Sequence, residues 1–276
     1  MIDHRRPRYG GAHMPASGLP ALDSWHWVLA ALAAVLIGFS KTGLPGAGIL
    51  AVPVMAWVFG ARLSVGATLP LLLVGDVVAV LAYRAYADWP QLRRLGPWVG
   101  LGLLAGSVTL WALGHVTLRA DPLGPVIGVI ILALLILTAL QRSGRLHWQP
   151  ASGVSTGLIG VLGGFTTMVS NAAGPVMALF LTSLGHTKAQ LMGTNAWTFF
   201  LFNASKVPLL ALLTWDNAAR PLFTPGSLLV NVALAPLVVL GAWAGRMFLP
   251  RVREETFSTL LLVLAGLAAL KLLFPG

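Results

Sequence analysis

Gly38-Phe39-Ser40-Lys41-Thr42-Gly43-Leu44-Pro45-Gly46-Ala47-Gly48 ends the first apolar stretch of this 276-residue chain with glycine, proline, hydroxyls and one full positive charge. A related stretch, Gly164-Phe165-Thr166-Thr167-Met168-Val169-Ser170-Asn171-Ala172-Ala173-Gly174, stands 126 positions later (164 − 38 = 126). At that one gap-free offset Gly38 meets Gly164, Phe39 meets Phe165, Ala47 meets Ala173 and Gly48 meets Gly174. Arg62 likewise meets Lys188, Thr68 meets Thr194, Trp89 meets Trp215 and Gly100 meets Gly226. The chain reads as a duplicated unit in which both copies break an apolar run with small and hydroxylated residues.

Hydrophobic residues make up 57% of the chain, charged residues only 9%, and the mean hydropathy is +0.83. That is too little polar surface for a soluble domain of this size. Ten apolar stretches between Trp25 and Leu273 predict an all-α polytopic membrane protein with eight to ten membrane segments. An upright crossing takes about 20 residues. The first two stretches and their copies are shorter, which reads as half-helices or tightly packed short spans; the other six read as full spans. The expected organisation is a disordered tail over 1–24, a first membrane repeat over 25–147 and a second over 148–276. A cleaved signal peptide is not expected, because the first apolar stretch is itself part of the repeat.

If each interrupted pair counts as one crossing, the repeats have four segments each and run parallel. If it counts as two, they have five each and are inverted. Positive charge favours the second. With the N-terminus outside, Arg84, Arg93, Arg94, Arg142, Arg145, Lys188, Arg246, Arg251 and Arg253 share the cytoplasmic side, opposed by Arg62, Arg119, Arg220, Lys271 and the tail arginines.

The net charge of +10 is dispersed between apolar stretches and forms no broad basic face for nucleic acid. Cysteine is absent, so thiolate metal sites and disulfides are excluded. No His-Glu-x-x-His or Gly-x-x-x-x-Gly-Lys-Ser/Thr pattern occurs. The expectation is a protein that is not an enzyme, with no cofactor and no metal, whose partners are membrane lipid and a small anionic substrate. Trp89, Trp98, Trp148 and Trp215 read as interfacial anchors, and His26, His115, His147 and His186 as interfacial residues.

A helix broken inside a bilayer leaves backbone N–H groups that only protein or a water-filled cavity can satisfy. Helices restarting near Gly46 and Ala172 would aim those groups, and the positive end of the helix dipole, at the break. Anions are favoured there. Interrupted segments at matching places in two halves are the sequence pointer to a transporter's binding site. Candidate binding residues are Ser40, Lys41, Thr42, Gly43, Gly46 and Gly48 from one side. Thr166, Thr167, Ser170 and Asn171 face them, with Thr68, Thr194 and Asn195 from the following helices. Two other readings stand beside this one: the glycines serve close helix packing, and Lys41 snorkels to headgroups. Asp76, in the middle of an apolar run, is the candidate for handling a coupled proton. Lys206 is its counterpart in the second copy, and a structural Asp76–Lys206 ion pair is the alternative use of both.

Gly38 to Pro53, with Ala67-Thr68, Asp88-Trp89, Gly163-Gly164-Phe165, Gly193-Thr194 and Trp215-Asp216, resembles the sulfite exporter TauE/SafE family of membrane permeases. The likeness runs from about Trp25 to Leu273. Many members look like Gly-Gly-Gly where this chain has Gly46-Ala47-Gly48. The resemblance implies movement of sulfite, sulfonates or similar sulfur oxyanions without ATP. The expectation is therefore a secondary transporter in a bacterial inner membrane. A passive anion channel, a non-transporting scaffold, and a cation carrier centred on Asp76 are the rivals. Oligomeric state is not readable.

Overall fold

The structure, a computed structural model, describes residues 22–43, 46–116, 121–145, 153–248 and 254–274. The expected tail over 1–24 therefore lies mostly outside the described residues, as do Arg119, His147, Trp148, Arg251 and Arg253. All regular structure among the described residues is helical. Helix α1 spans Ser24–Thr42, and after the break a 3₁₀ turn, Ala47–Leu50, leads into α2, Ala51–Phe59. Then come α3 (Ala61–Ala67), α4 (Leu69–Tyr83), a 3₁₀ turn at Arg84–Tyr86, α5 (Trp89–His115) and α6 (Leu123–Arg142). The second half supplies α7 (Gly153–Ser170), α8 (Gly174–Ser183), α9 (Lys188–Asp216), α10 (Pro225–Phe248) and α11 (Glu254–Leu273).

The starts follow local chemistry. Asp23 caps α1 by accepting from the His26 N–H at 2.9 Å, a bond that holds the carboxylate below its ordinary range. Asp88 caps α5 through Gln91 N, and Thr187 and Gln190 form a capping box at α9. Six helices among the described residues are long and apolar enough to cross a membrane: α1, α3–α4, α5, α6, α9 and α10. Large apolar side chains such as Leu81, Val108, Val129, Ile136, Leu212 and Val232 face outward, as a lipid-embedded surface requires. One expectation is corrected here. The first stretch was read as short, yet α1 has 19 residues because Ser40, Lys41 and Thr42 continue the helix. The first break thus joins a spanning helix to the short 47–59 segment, and the second joins two shorter apolar helices, Val154–Ser170 and Gly174–Ser183.

End-to-end contacts fix the relative directions of the longer helices. Tyr83 Oη donates to the Thr42 carbonyl at 3.3 Å, so α1 and α4 finish at the same end of the bundle. Gly193 packs against Tyr83 and Tyr86, so α9 begins where α4 finishes. Helix α7 runs alongside α5, with Gly157 and Gly160 against Trp98 and Gly106 against Met168. Helix α1 runs alongside α10 in the same way, with Gly38 against Val238 and Gly43 against Gly245. Gly163 touching Phe202, and Thr167 near Lys206, set α7 parallel to α9. It follows that α1, α4 and α10 run one way and α5, α7 and α9 the other. Helices α6 and α11 lie antiparallel, with Gly128 on Ala269 and Arg142 near Thr259.

The closest approaches rest on glycine. A Cβ on Gly38 would stand 1.9 Å from the Val238 carbonyl oxygen, and one on Gly164 would stand 2.3 Å from that of Val99. These two residues occupy equivalent positions at the 126-residue offset. Each lets the first helix of its half seat against the fourth segment of the other half, α1 on α10 and α7 on α5. Bilayer lipid gives no hydrophobic force between helices, so such backbone contact is the main source of packing energy.

Candidate functional site

Both breaks arrive at the middle of α9. Along that helix, Thr194 accepts from Asp88 N, the Phe199 ring lies 4.4 Å from Lys41 Nζ, Asn203 meets Asp76, and Lys206 meets Asn171. Steps of three to five residues along a helix put these contacts in vertical order, with the two breaks about two turns apart. The breaks also touch directly, since a Cβ on Gly174 would come within 3.3 Å of the Gly46 Cα.

Between them lies a small cavity of about 60 Å³. That is the space of a few waters or one small oxyanion. Ser40, Lys41, Gly46, Gly48, Thr68, Asn171, Gly174, Asn195 and Phe199 line it, with Ile37, Ile49 and Val52 as apolar wall. The backbone entering α2 and the first turn of α8 both face this space, so the N-terminal ends of two helices converge on it. Gly46 has φ of +90°, a left-handed conformation that a side chain resists. Replacing Gly46 with Ala should lower stability by about 1–2 kcal/mol, read as an earlier melting midpoint in detergent. An unchanged midpoint would mean that the turn relaxes. Asn171, at φ 58°, takes the same region at the end of α7, where Asn is tolerated.

Three ionisable side chains are buried beside the cavity. Lys41 is 7% exposed, Asp76 0% and Lys206 0%. Lys41 Nζ lies 2.7 Å from Asp76 Oδ1, and Asn203 Nδ2 donates to Asp76 Oδ2 at 2.6 Å. Lys206 donates to Asn203 Oδ1 at 3.1 Å and to Asn171 Oδ1, with Thr167 Oγ1 at 3.4 Å. The snorkelling reading of Lys41 is thereby overturned, because its ammonium is turned inward onto a carboxylate. The Asp76–Lys206 ion pair is not formed either. Asn203 stands between the two, so Asp76 takes its cation from the first break instead.

Of the candidate binding residues, Ser40, Lys41, Gly46, Gly48, Thr68, Asn171 and Asn195 reach the cavity. The others serve the scaffold. Thr42 donates to the Ala242 carbonyl, Thr166 to Leu162 O at 2.8 Å and Ser170 to Thr166 O at 2.8 Å. Thr194 is taken up by the Asp88 N–H at 2.9 Å, so the two equivalent threonines do not share one cavity. Gly43 packs against Gly245, and Thr167 faces Lys206. His186 sits 3.3 Å from Asp88 and is 11% exposed, more enclosed than an interfacial residue. Sequence reading missed Phe199 and Asn203. Asn203 left one signal: it lies three residues before Lys206, the spacing that puts both on one helix face. Asn195 Oδ1 has no partner among the described residues and faces the cavity wall. No group of three or more metal-ligating side chains occurs among the described residues.

A helical bundle with an apolar exterior and six helices long and apolar enough to cross a bilayer among the described residues defines a multi-pass membrane protein. The chain belongs to the Sulfite exporter TauE/SafE family, whose family model matches residues 30–272. That is a family of membrane transporters, and it points to export of sulfite or a related sulfur anion. Neither the curated proteins nor the solved structures contain a match.

Proposed function

We propose that the protein is a secondary carrier that moves sulfite or an organosulfonate across a bacterial inner membrane, coupled to protons through Asp76 and working by alternating access. The observation that carries this reading is the meeting of both breaks at one cavity containing the Lys41 ammonium and two helix N-terminal ends. A small oxyanion there would accept from Lys41 and Thr68, from the backbone near Gly46 and Gly174, and from the Asn195 amide turned to present its NH₂, while Ser40, which lines the cavity, keeps its hydroxyl on Ile37 O at 2.8 Å. The opposite directions of α1 and α7, α4 and α9, α5 and α10, and α6 and α11 support a five-plus-five inverted repeat over 25–147 and 148–276. Such repeats permit inward and outward forms of similar energy around one site.

Helix direction also sorts the charges. Arg84, Arg93, Arg94, Arg142, Arg145, Lys188 and Arg246 fall at the end where α1 and α4 finish, and Arg62, Arg220 and Lys271 at the other. The excess assigns the first end to the cytoplasm.

The test is radiolabelled sulfite flux in proteoliposomes, with and without an imposed pH gradient, with sulfonates, sulfate and chloride as competitors. Saturable, gradient-driven flux is the expected result. Conductance without saturable exchange would replace the carrier with a channel, and absence of flux for every anion would leave a scaffold. Asp76→Asn should remove the response to the gradient; a variant that still follows it would take Asp76 out of the coupling.

A further inference from the structure

Lys206 does not line the cavity, yet its surroundings define its charge. Its Nζ faces three oxygens: Thr167 Oγ1 at 3.4 Å, Asn203 Oδ1 at 3.1 Å, and Asn171 Oδ1 in a closer contact. Both amides are oriented by what their nitrogens do. Asn203 Nδ2 donates to Asp76 at 2.6 Å and Asn171 Nδ2 to the Val65 carbonyl at 2.9 Å, so each turns its oxygen to the lysine. Three acceptors suit an ammonium, which has three donors and no lone pair. A neutral amine could serve only the two amide oxygens and would need the Thr167 hydroxyl turned to donate to it. The cage thus gives the cationic form of Lys206 an acceptor for each of its three donors.

The carboxylate that answers it is shared. From α1, Asp76 faces Lys41; from α9, it faces Asn203 and, one hydrogen bond beyond, Lys206. Helix α10 contributes Val238 beside Gly75, and its Arg246 lies near the Tyr83 end. In α3, Arg62 is engaged at the opposite end by the Arg220 and Leu110 carbonyls, and Arg84 in the 3₁₀ turn is exposed. The buried core thus carries two cations and one carboxylate. Its net charge is +1 with Asp76 ionised and +2 with Asp76 protonated. An uncompensated buried charge costs several kcal/mol, so the core is incomplete without an anion.

Resting on the carrier reading above, we propose that Lys206 is a fixed counter-charge of the anion site, acting through Asn171. The protonation state of Asp76 then sets the valence carried. An ionised Asp76 admits a monoanion and a protonated Asp76 a dianion, each leaving the loaded core neutral. Asn171 is the link, because it lines the cavity and its side-chain oxygen accepts from Lys206.

For sulfite the two loaded forms contain the same protons: hydrogensulfite beside ionised Asp76, or the dianion beside protonated Asp76. The proton moves between the bound oxyanion and the Asp76 carboxylate, and no other bond changes. Wild-type affinity should then fall about tenfold per pH unit above the second ionisation of sulfite. Asp76→Asn locks the core at +2, so affinity should rise with pH up to that ionisation and then level. Its amide oxygen can still accept from Asn203. Lys206→Met removes one cation and demands a further proton, so affinity should fall about a hundredfold per pH unit over the same alkaline range. Lys206→Arg should keep the wild-type slope.

The experiment is equilibrium binding of radiolabelled sulfite to the purified full chain in detergent, from mildly acidic to mildly alkaline pH. Affinity that falls above the second ionisation in wild type but is level there in Asp76→Asn, and that rises below it only in Asp76→Asn, supports the proposal, and parallel profiles overturn it. A wild-type slope in Lys206→Met also overturns it. Should Lys206→Met fail to give monodisperse protein, wild type against Asp76→Asn decides alone. A folded wild type that binds no sulfite at any pH would instead remove the substrate reading, and this inference with it.

Discussion

Lys41→Ala is expected to abolish sulfite transport at concentrations that saturate the wild type. The ammonium is a full positive charge lining the cavity, beside the apolar wall of Ile37, Ile49 and Val52. Removing one partner of a buried, hydrogen-bonded charge contact costs about 2–5 kcal/mol, or roughly thirtyfold to a few thousandfold in affinity. The same change strands Asp76, which keeps only Asn203, and loss of one member of a buried pair destabilises by about 3–5 kcal/mol. The two effects separate in the double variant Lys41→Ala/Asp76→Asn. It should regain most of the melting temperature and none of the flux. Wild-type flux in Lys41→Ala would end the assignment of this residue to the site.

Gly164→Val is expected to prevent formation of the native bundle. The first added carbon would meet the Val99 carbonyl oxygen at 2.3 Å, the Leu103 N at 2.9 Å and the Gly102 Cα at 3.0 Å, all backbone atoms. No rotamer relieves a clash at Cβ. Overpacking ordinarily costs about 1–3 kcal/mol where side chains can give way, and here α5 and α7 must separate along their length. The measurement is the fraction of monodisperse protein after extraction, with Gly38→Val as the matching change on α1 and α10. Gly96→Val is the control, because a Cβ there meets nothing within 4 Å. Normal yields of Gly164→Val would show that the α5–α7 approach is looser than described.

The duplicated breaks were legible because they violate the composition of their surroundings. Glycines, hydroxyls and a lysine within a hydrocarbon-soluble run need a protein partner, and that need is written into the residues whatever the fold. Ser40, Lys41, Gly46, Gly48, Thr68, Asn171 and Asn195 were found by this logic. It could not separate hydroxyls serving a ligand from those serving a helix. Thr166 and Ser170 bond one turn back along α7, a use open to any helical Ser or Thr. Thr194 was misread for a related reason. Its equivalence to Thr68 is a property of the repeat, whereas its neighbour, Asp88, comes from the loop of the other half.

The sequence by itself determined the solvent, the helical class and the family. Hydropathy, period and a fixed offset are properties of the chain and need no neighbours. Only the tertiary structure decided the partnerships of the three buried charges. Asp76 and Lys206 are each strongly disfavoured alone in an apolar bundle, so sequence alone makes their pairing a natural guess. Packing places Lys41 against one carboxylate oxygen and Asn203 against the other, and gives Lys206 a cage of neutral oxygens. Electrostatic attraction says that buried charges must be answered. The geometry of close-packed helices decides which residue is near enough to answer.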